Sequence, residues 1–334
     1  MGGSGIGFAS MPFGGIMKNS SQTLANIYYQ ADNNIDIQVR QLLSNGSWTY
    51  KKLPVQYDAR LRTPLDAVAT VDNNGIVTWN TFMVNYANRP YHHVYQDGGE
   101  SGWGIIIDVA GYDTLKPPGV YTEGSTPIRA CTFHYGEKMS DQSRYNTDGI
   151  MVWYASNETL FEEWTYKNYT WEHSKQWSVP SVQAGVGCYS DPADSLAHVM
   201  FISSKSAFEF WSIDKNADKP KWRKCPFNAL MSAGERFLHN DGEVFYLVDG
   251  QNRVLAREVK DAWVCEKEKV VGEPVVIGTA LTGTRLGAAS VRDGGNGNGM
   301  DKGPVVLFQG ADGSMLGFER GNGTWDGGVD VLEC

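Results

Sequence analysis

The sequence predicts an all-β fold, a six-bladed β-propeller with four-stranded antiparallel blades, on three observations. First, one plan recurs six times along 334 residues, about every 56 residues. Second, each unit opens on a short run of small and apolar residues, followed by an aromatic or β-branched run. The opening runs are Ile6-Gly7-Phe8-Ala9-Ser10, Leu65-Asp66-Ala67-Val68-Ala69, Ile128-Arg129-Ala130-Cys131-Thr132, Val182-Gln183-Ala184-Gly185-Val186, Phe227-Asn228-Ala229-Leu230-Met231 and Leu286-Gly287-Ala288-Ala289-Ser290. Third, a Trp closes each unit, at Trp48, Trp103, Trp171, Trp222, Trp263 and Trp325. No segment carries a helical period. A lone four-stranded sheet cannot bury both faces, so six of them stack face to face and close into a ring. A β-sandwich has no reason to repeat its Trp six times.

The units follow in order. Unit one spans residues 6–53 and unit two spans 65–108. A connector, 112–127, contains Lys116-Pro117-Pro118-Gly119 and reads as an extended surface crossing. Unit three, 128–177, carries an insertion at 133–149. Unit four spans 182–225 and unit five 227–264. Unit six runs from 286 to about 331 and contains a glycine-rich loop at 293–303. The alternation of Gly328-Val329-Asp330-Val331-Leu332 makes it the expected closing strand of the ring. All of residues 1–334 thus read as one propeller domain.

Composition limits the function classes. The hydrophobic fraction is 41%, with 11 Trp, 16 Tyr and 13 Phe, ample for a large core. The formal charge of -9 argues against nucleic acid and against an anionic membrane surface as partners. No apolar run reaches membrane-spanning length. Five sequons, at Asn19, Asn45, Asn157, Asn168 and Asn322, favour a glycosylated protein of the secretory pathway. Those at Asn45, Asn168 and Asn322 run directly into the repeat Trp, in a turn that would tolerate a glycan. Of five cysteines, Cys131 and Cys188 fall on consecutive inner strands. Cys225 and Cys265 each follow a repeat Trp, and Cys334 is within reach of either as a partner. Five free buried thiols are the competing arrangement.

The chemistry-bearing residues are sparse. Gly7, Asp66, Arg129, Gln183, Asn228 and Gly287 share one position of the opening run. Inner strands line a propeller's axis, so the four polar members would form a ring there. They would bind channel water and each other, or anchor a small ligand at the channel mouth. Loops after the inner strands add Phe13, Trp79, Phe133, His134, Tyr135, Tyr145, Tyr189, Phe237 and His239 on one face. His92 and His93 are adjacent on a strand and point oppositely, so they cannot chelate one metal. Gly295-Asn296-Gly297-Asn298-Gly299 lacks the helix a nucleotide loop requires and the acids a calcium loop requires. We expect no metal and no cofactor.

The units resemble those of fungal fucose-specific lectins, six-bladed propellers, over nearly the whole chain. Ile27-Tyr28-Tyr29-Gln30-Ala31-Asp32-Asn33 and Leu307-Phe308-Gln309-Gly310-Ala311-Asp312-Gly313 carry the resemblance most clearly. The resemblance implies inter-blade sugar sites, each with an Arg before the second strand and a Glu on the third. Here the Arg positions hold Asn26, Phe82 or Met83, Met151, His198, Glu243 and Pro304. The Glu positions hold Val39, His93, Glu162, Glu209, Ala256 and Gly317. Without the bidentate donor such a pocket loses most of its discrimination.

In fold, sequons and missing sugar residues the chain is similar to the fungal hetero-Diels–Alderases of tropolone sesquiterpenoid biosynthesis. That resemblance implies a cofactor-free catalyst whose partners are a terpenoid polyene and a tropolone. On it, Arg129 would hold the tropolone oxygens and Asp66 or His134 would shuttle a proton. Gln183, Asn228, Trp79, Phe133, Tyr135, Tyr189 and His239 would line the ligand site, at the channel mouth or in an inter-blade groove. A glycan-binding lectin and a propeller with no small ligand are the other two readings. Either a monomer or a homodimer suits the fold.

Overall fold

The computed structural model describes residues 6–10, 23–30, 37–43, 47–56, 59–71, 76–96, 106–108, 128–138, 145–168, 170–190, 195–202, 208–226, 236–240, 244–260, 265, 270–284, 286–291, 302–321 and 324–330. They form six antiparallel sheets, each a meander of consecutive strands. Blade one is β1 (Ile6–Ser10), β2 (Thr23–Gln30), β3 (Ile37–Leu43) and β4 (Trp48–Gln56). Blade two is β5 (Asp66–Val71), β6 (Val77–Val84), β7 (Pro90–Gln96) and β8 (Ile106–Asp108). Blade three is β9 (Ile128–Lys138), β10 (Tyr145–Asn157), β11 (Leu160–Lys167) and β12 (Thr170–Ser178). Blade four is β13 (Val186–Ser190), β14 (Leu196–Ile202), β15 (Phe208–Asp214) and β16 (Arg223–Cys225). Blade five is β17 (Arg236–Asn240), β18 (Val244–Val248) and β19 (Arg253–Lys260), with two short strands, β20 (Val270–Val271) and β21 (Val275–Thr279), both paired to β19. Blade six is β22 (Leu286–Val291), β23 (Lys302–Gln309), β24 (Met315–Gly321) and β25 (Thr324–Asp330). The inner strands β1, β5, β9, β13, β17 and β22 each touch the next, and β22 touches β1, which closes the ring.

Six apolar clusters hold the ring, one at each blade interface. The period of two explains the distribution. On β10, Met151, Trp153 and Ala155 face blade four, while Ile150, Val152 and Tyr154 face blade two. Both faces are buried, so the strand reads as an unbroken apolar run. The repeat Trp has a consistent place at the rim. Trp48, Trp171, Trp222 and Trp325 each pack toward the preceding blade. Trp103 and Trp263 lie outside the described residues.

Close approach at the axis fixes two glycines. A Cβ on Gly7 would lie 2.9 Å from the Asp66 carbonyl carbon and 2.5 Å from Leu65 Cδ2. One on Gly287 would lie 2.9 Å from Phe8 Cβ. Neighbouring inner strands approach here nearer than a methyl group allows.

The structure shifts several expected elements. Val182–Ala184 is a 3-10 turn, and the inner strand of blade four begins at Val186. Ser181 Oγ accepts from Gln183 N–H, and Gly185 turns the chain at φ 94°. The inner strand of blade five is β17, at 236–240; residues 227–231, the expected position, lie outside the described residues. The insertion of unit three extends the β9/β10 hairpin, with Tyr145 still paired to Lys138, so 133–138 and 145–149 are strand. Gly328, Val329 and Asp330 belong to β25, which pairs with β24 of its own blade. The expected closing role therefore fails: each blade is one uninterrupted stretch, and blade one meets blade six by side-chain packing. The connector 112–127 and most of the glycine-rich loop lie outside the described residues.

A buried histidine marks the interface of blades two and three. His92 stacks on Phe82 at 4.7 Å and meets Trp171 edge-on at 5.4 Å. Its Nε2 lies 2.9 Å from Asn80 Oδ1, so Nε2 carries the proton. Burial, then the neighbouring His93, lowers its pKa to about 3 from 6.5. Between those values the unfolded chain binds a proton that the folded chain refuses. Stability is therefore fully present above pH 6.5 and lost as pH falls toward 3, by about 1.4 kcal/mol per pH unit. We expect His92→Gln to shrink the drop in urea midpoint between pH 7 and pH 5. An equal drop in both proteins would refute this.

Candidate functional site

The axial residues form a joint. Asp66 and Arg129 lie on consecutive inner strands and both are buried. Asp66 Oδ2 accepts from Ala130 N–H of the next blade at 2.7 Å, and Oδ1 from Ala67 N–H at 3.0 Å. Arg129 Nη1 lies 3.8 Å from Asp66 Oδ2. Burial raises the Asp66 carboxyl to about 6, against the pull of Arg129 and the two N–H groups, so it is ionised at neutral pH. A side chain thus supplies an inter-blade hydrogen bond that the backbones do not make. His134 is five residues from Arg129 on β9, hence on the opposite face.

The structure disperses the other expected ligand residues. Gln183 is exposed on the 3-10 turn, off the inner strand. Trp79, Phe133 and Tyr189 are buried in three different interface clusters, and Phe133 sits within β9, not in a loop. Tyr135 is also buried on β9; its hydroxyl donates to Asn168 Oδ1 at 3.3 Å. His239 belongs to β17, paired with Tyr246. Asn228 lies outside the described residues, as do Phe13 and the sequon asparagines Asn19, Asn45 and Asn322. Asn157 and Asn168 are exposed, and Asn168 occupies a left-handed turn at φ 51°. Cys225 and Cys265 form a disulfide, while Cys131 and Cys188 are free and buried, so the arrangement of five free thiols is excluded. Cys334 lies outside the described residues.

In blades one to four the positions aligned with the lectin arginines are filled from inside. Asn26, Phe82, Met83, Met151 and His198 are all buried. Gln41 Nε2 donates to Asn26 Oδ1 at 3.0 Å, and His198 stacks on Phe210. Glu162, one of the two retained acids, is occupied within its own blade by Ser156 Oγ at 2.6 Å, His173 Nε2 at 2.8 Å and Gln176 Nε2 at 3.1 Å.

The other retained acid borders a groove. Between blades three and four lies a cleft of about 460 Å³, walled by residues 175–180 on one side and Phe201, Ile202, Glu209 and Trp211 on the other. Its volume is in the range of small-molecule sites, about 300–1,000 Å³. Lys175 Nζ sits 3.6 Å from the centre of the Trp177 ring and 5.3 Å from that of Trp211. Burial lowers the Lys175 pKa, opposed by Glu163, the residue paired with it across β11 and β12. Glu209 accepts from Lys224 Nζ at 2.7 Å and from Trp211 Nε1 at 3.4 Å.

A second layer holds the groove wall. Glu163 is fully buried behind Trp177. It accepts from Trp177 Nε1 at 2.7 Å and from Trp222 Nε1 of blade four at 3.3 Å. Lys215 of blade four completes the set, with Nζ 3.9 Å from Glu163 Oε1 and 5.1 Å from the centre of the Phe133 ring. Burial pushes the Glu163 carboxyl up and the Lys215 ammonium down, while each pulls the other back. Sequence reasoning missed Lys175, Trp177, Trp211, Glu163 and Lys215. One signal was available: besides the repeat Trp, the chain has Trp79, Trp153, Trp164, Trp177 and Trp211, and all but the first fall in units three and four.

Comparison with solved structures places this architecture among six-bladed lectin propellers. The fungal lectin of Aleuria aurantia, described with a novel fucose recognition mode, is 19% identical over 98% of this chain and 95% of its own, with a TM-score of 0.69. AofleA from Arthrobotrys oligospora is 13% identical over 96% of this chain and 84% of its own, at 0.58. The BP39L lectin of Burkholderia pseudomallei is 14% identical over 98% and 84%, at 0.55. No family model matches the sequence, and no curated protein does. At these identities the likeness is one of fold.

Proposed function

We propose that this chain is a cofactor-free hetero-Diels–Alderase of the fungal tropolone sesquiterpenoid type, working in the groove between blades three and four. The observation that carries this is the groove itself: walls of Trp177, Val179, Phe201, Ile202 and Trp211 with few polar groups between them, one ammonium on an indole face, and no arginine among the described lining residues. The axial residues suit catalysis less, because Asp66 is already engaged by two N–H groups and an arginine. The reaction needs little from the protein. Loss of water from a hydroxymethyl tropolone leaves a quinone methide. Its C=C–C=O diene adds across one alkene of the polyene, forming one C–C and one C–O bond with nothing gained or lost. Walls such as Phe201, Ile202 and Trp211 would hold the polyene against the diene in near-attack geometry. Lys175 would hold the tropolone oxygens and polarise them. Five sequons and a disulfide suit a secretory protein.

The test is incubation with a hydroxymethyl tropolone and a humulene-type polyene. We expect one diastereomer in excess and a rate above the protein-free control. A product ratio equal to that of the uncatalysed mixture ends the proposal. Glycan binding without catalysis is the second reading, favoured by Glu209 beside Trp211 and by a smaller groove of about 160 Å³ between blades five and six. There Glu258 and Arg320 pair beside Trp325. Firm retention on fucose-agarose, with elution by free fucose, would favour this reading.

A further inference from the structure

We infer that Lys175 is an anion receptor and that the groove between blades three and four selects a flat, conjugated organic anion, such as an enolate or an aromatic carboxylate. This rests on the groove being the ligand site, as proposed above, and adds the charge and shape of what enters it.

The charges in and behind the groove decide the sign. Glu209 is taken by Lys224 and by the Trp211 indole. Glu163 lies behind Trp177, held by two indole N–H groups and Lys215. Lys175, by contrast, makes no hydrogen bond and no close ion pair with any described residue; its ammonium rests on two π-faces, and Glu163, already held by two indoles and Lys215, attracts it only from a distance. Three N–H donors thus remain for a ligand. A charge-assisted bond to an incoming anion would be among the stronger interactions available. The shape follows from the walls. Trp177 and Trp211 meet at 75° with centroids 5.4 Å apart. Trp211 is only half-buried and lines the groove. A planar ring stacked there brings its edge toward Lys175 Nζ. Glu209, the acid of the same groove, is held by Lys224 and Trp211 and is not paired with Lys175.

Tropolone is a suitable probe, because its absorbance changes on ionisation. Titrated into the full chain slightly below its own pKa, it should show the anion's spectrum on binding. Benzoate should compete, and the neutral tropolone methyl ether should bind at least about tenfold more weakly. Lys175→Met should weaken tropolone by a similar factor, and Lys175→Arg should retain affinity within about threefold. Lys175 is half-buried and makes no hydrogen bond with a described residue, so both variants should fold, and their unfolding midpoints check this. Equal binding of tropolone and its ether, unchanged binding by Lys175→Met, or displacement of tropolone by fucose would each overturn the inference. If tropolonate binds through Lys175 but no cycloadduct forms, the catalytic reading fails and the anion site stands. Selective turnover unaffected by Lys175→Met has the reverse meaning.

Discussion

Glu163→Ala is expected to destabilise the folded chain by about 3–5 kcal/mol, because it strands a buried partner charge. The substitution removes the acceptor of both the Trp177 and the Trp222 indoles and leaves Lys215 without its carboxylate. These groups come from blades three and four, so the loss falls on the joint between them. Glu163→Gln keeps an acceptor for an indole and should cost less. The double variant Glu163→Leu/Lys215→Met removes both charges and should recover much of the loss, since apolar replacement of a buried pair is often near neutral. Urea unfolding followed by Trp fluorescence reads all three. A Glu163→Ala midpoint within about 1 kcal/mol of the parent would show that the cluster does not hold the interface.

Loss of the Cys225–Cys265 disulfide should cost about 4 kcal/mol, from the closure entropy of a loop with 40 residues of sequence separation. The bridge ties the outer strand of blade four to blade five, and both sulfurs belong to the buried cluster between them. Cys225→Ala/Cys265→Ala is the appropriate variant, since it avoids leaving a reactive single thiol. Its thermal midpoint should fall and become insensitive to dithiothreitol, whereas the parent, unfolded in the reductant, should lose a similar amount. An unchanged midpoint in the double variant would mean that the packing around the bridge, not the bond, supplies the stability.

The fold was legible because its signals repeat. An apolar run, a second strand and a Trp recur in each unit, so a misreading of one unit leaves the other five intact. The errors fall where one residue overrides the pattern. Val182-Gln183-Ala184-Gly185-Val186 has strand composition, yet Ser181 captures an N–H and Gly185 takes a conformation that turns the chain. The site was far less legible. Asp66 and Arg129 were found as neighbours across blades, but a sequence does not tell a ligand anchor from a carboxylate that replaces a backbone bond. Trp79 and Tyr189 looked like loop aromatics, and burial decided otherwise. Lys175 was invisible for a different reason. Its meaning lies in what it lacks, a hydrogen bond or close ion pair with a described residue, and in two rings that come from different blades.

The uninterrupted blades have a mechanical corollary. Where blade one meets blade six, Ile6 and Phe8 lie against Leu307 and Met315 across an apolar contact, with no strand exchanged. Among the described residues the seam is joined by apolar surfaces and not by a ladder. Among the described residues, a force drawing its two faces apart would meet no row of backbone hydrogen bonds to shear. The ring should part there as a washer splits at its cut, while blades four and five stay tethered by the Cys225–Cys265 bridge.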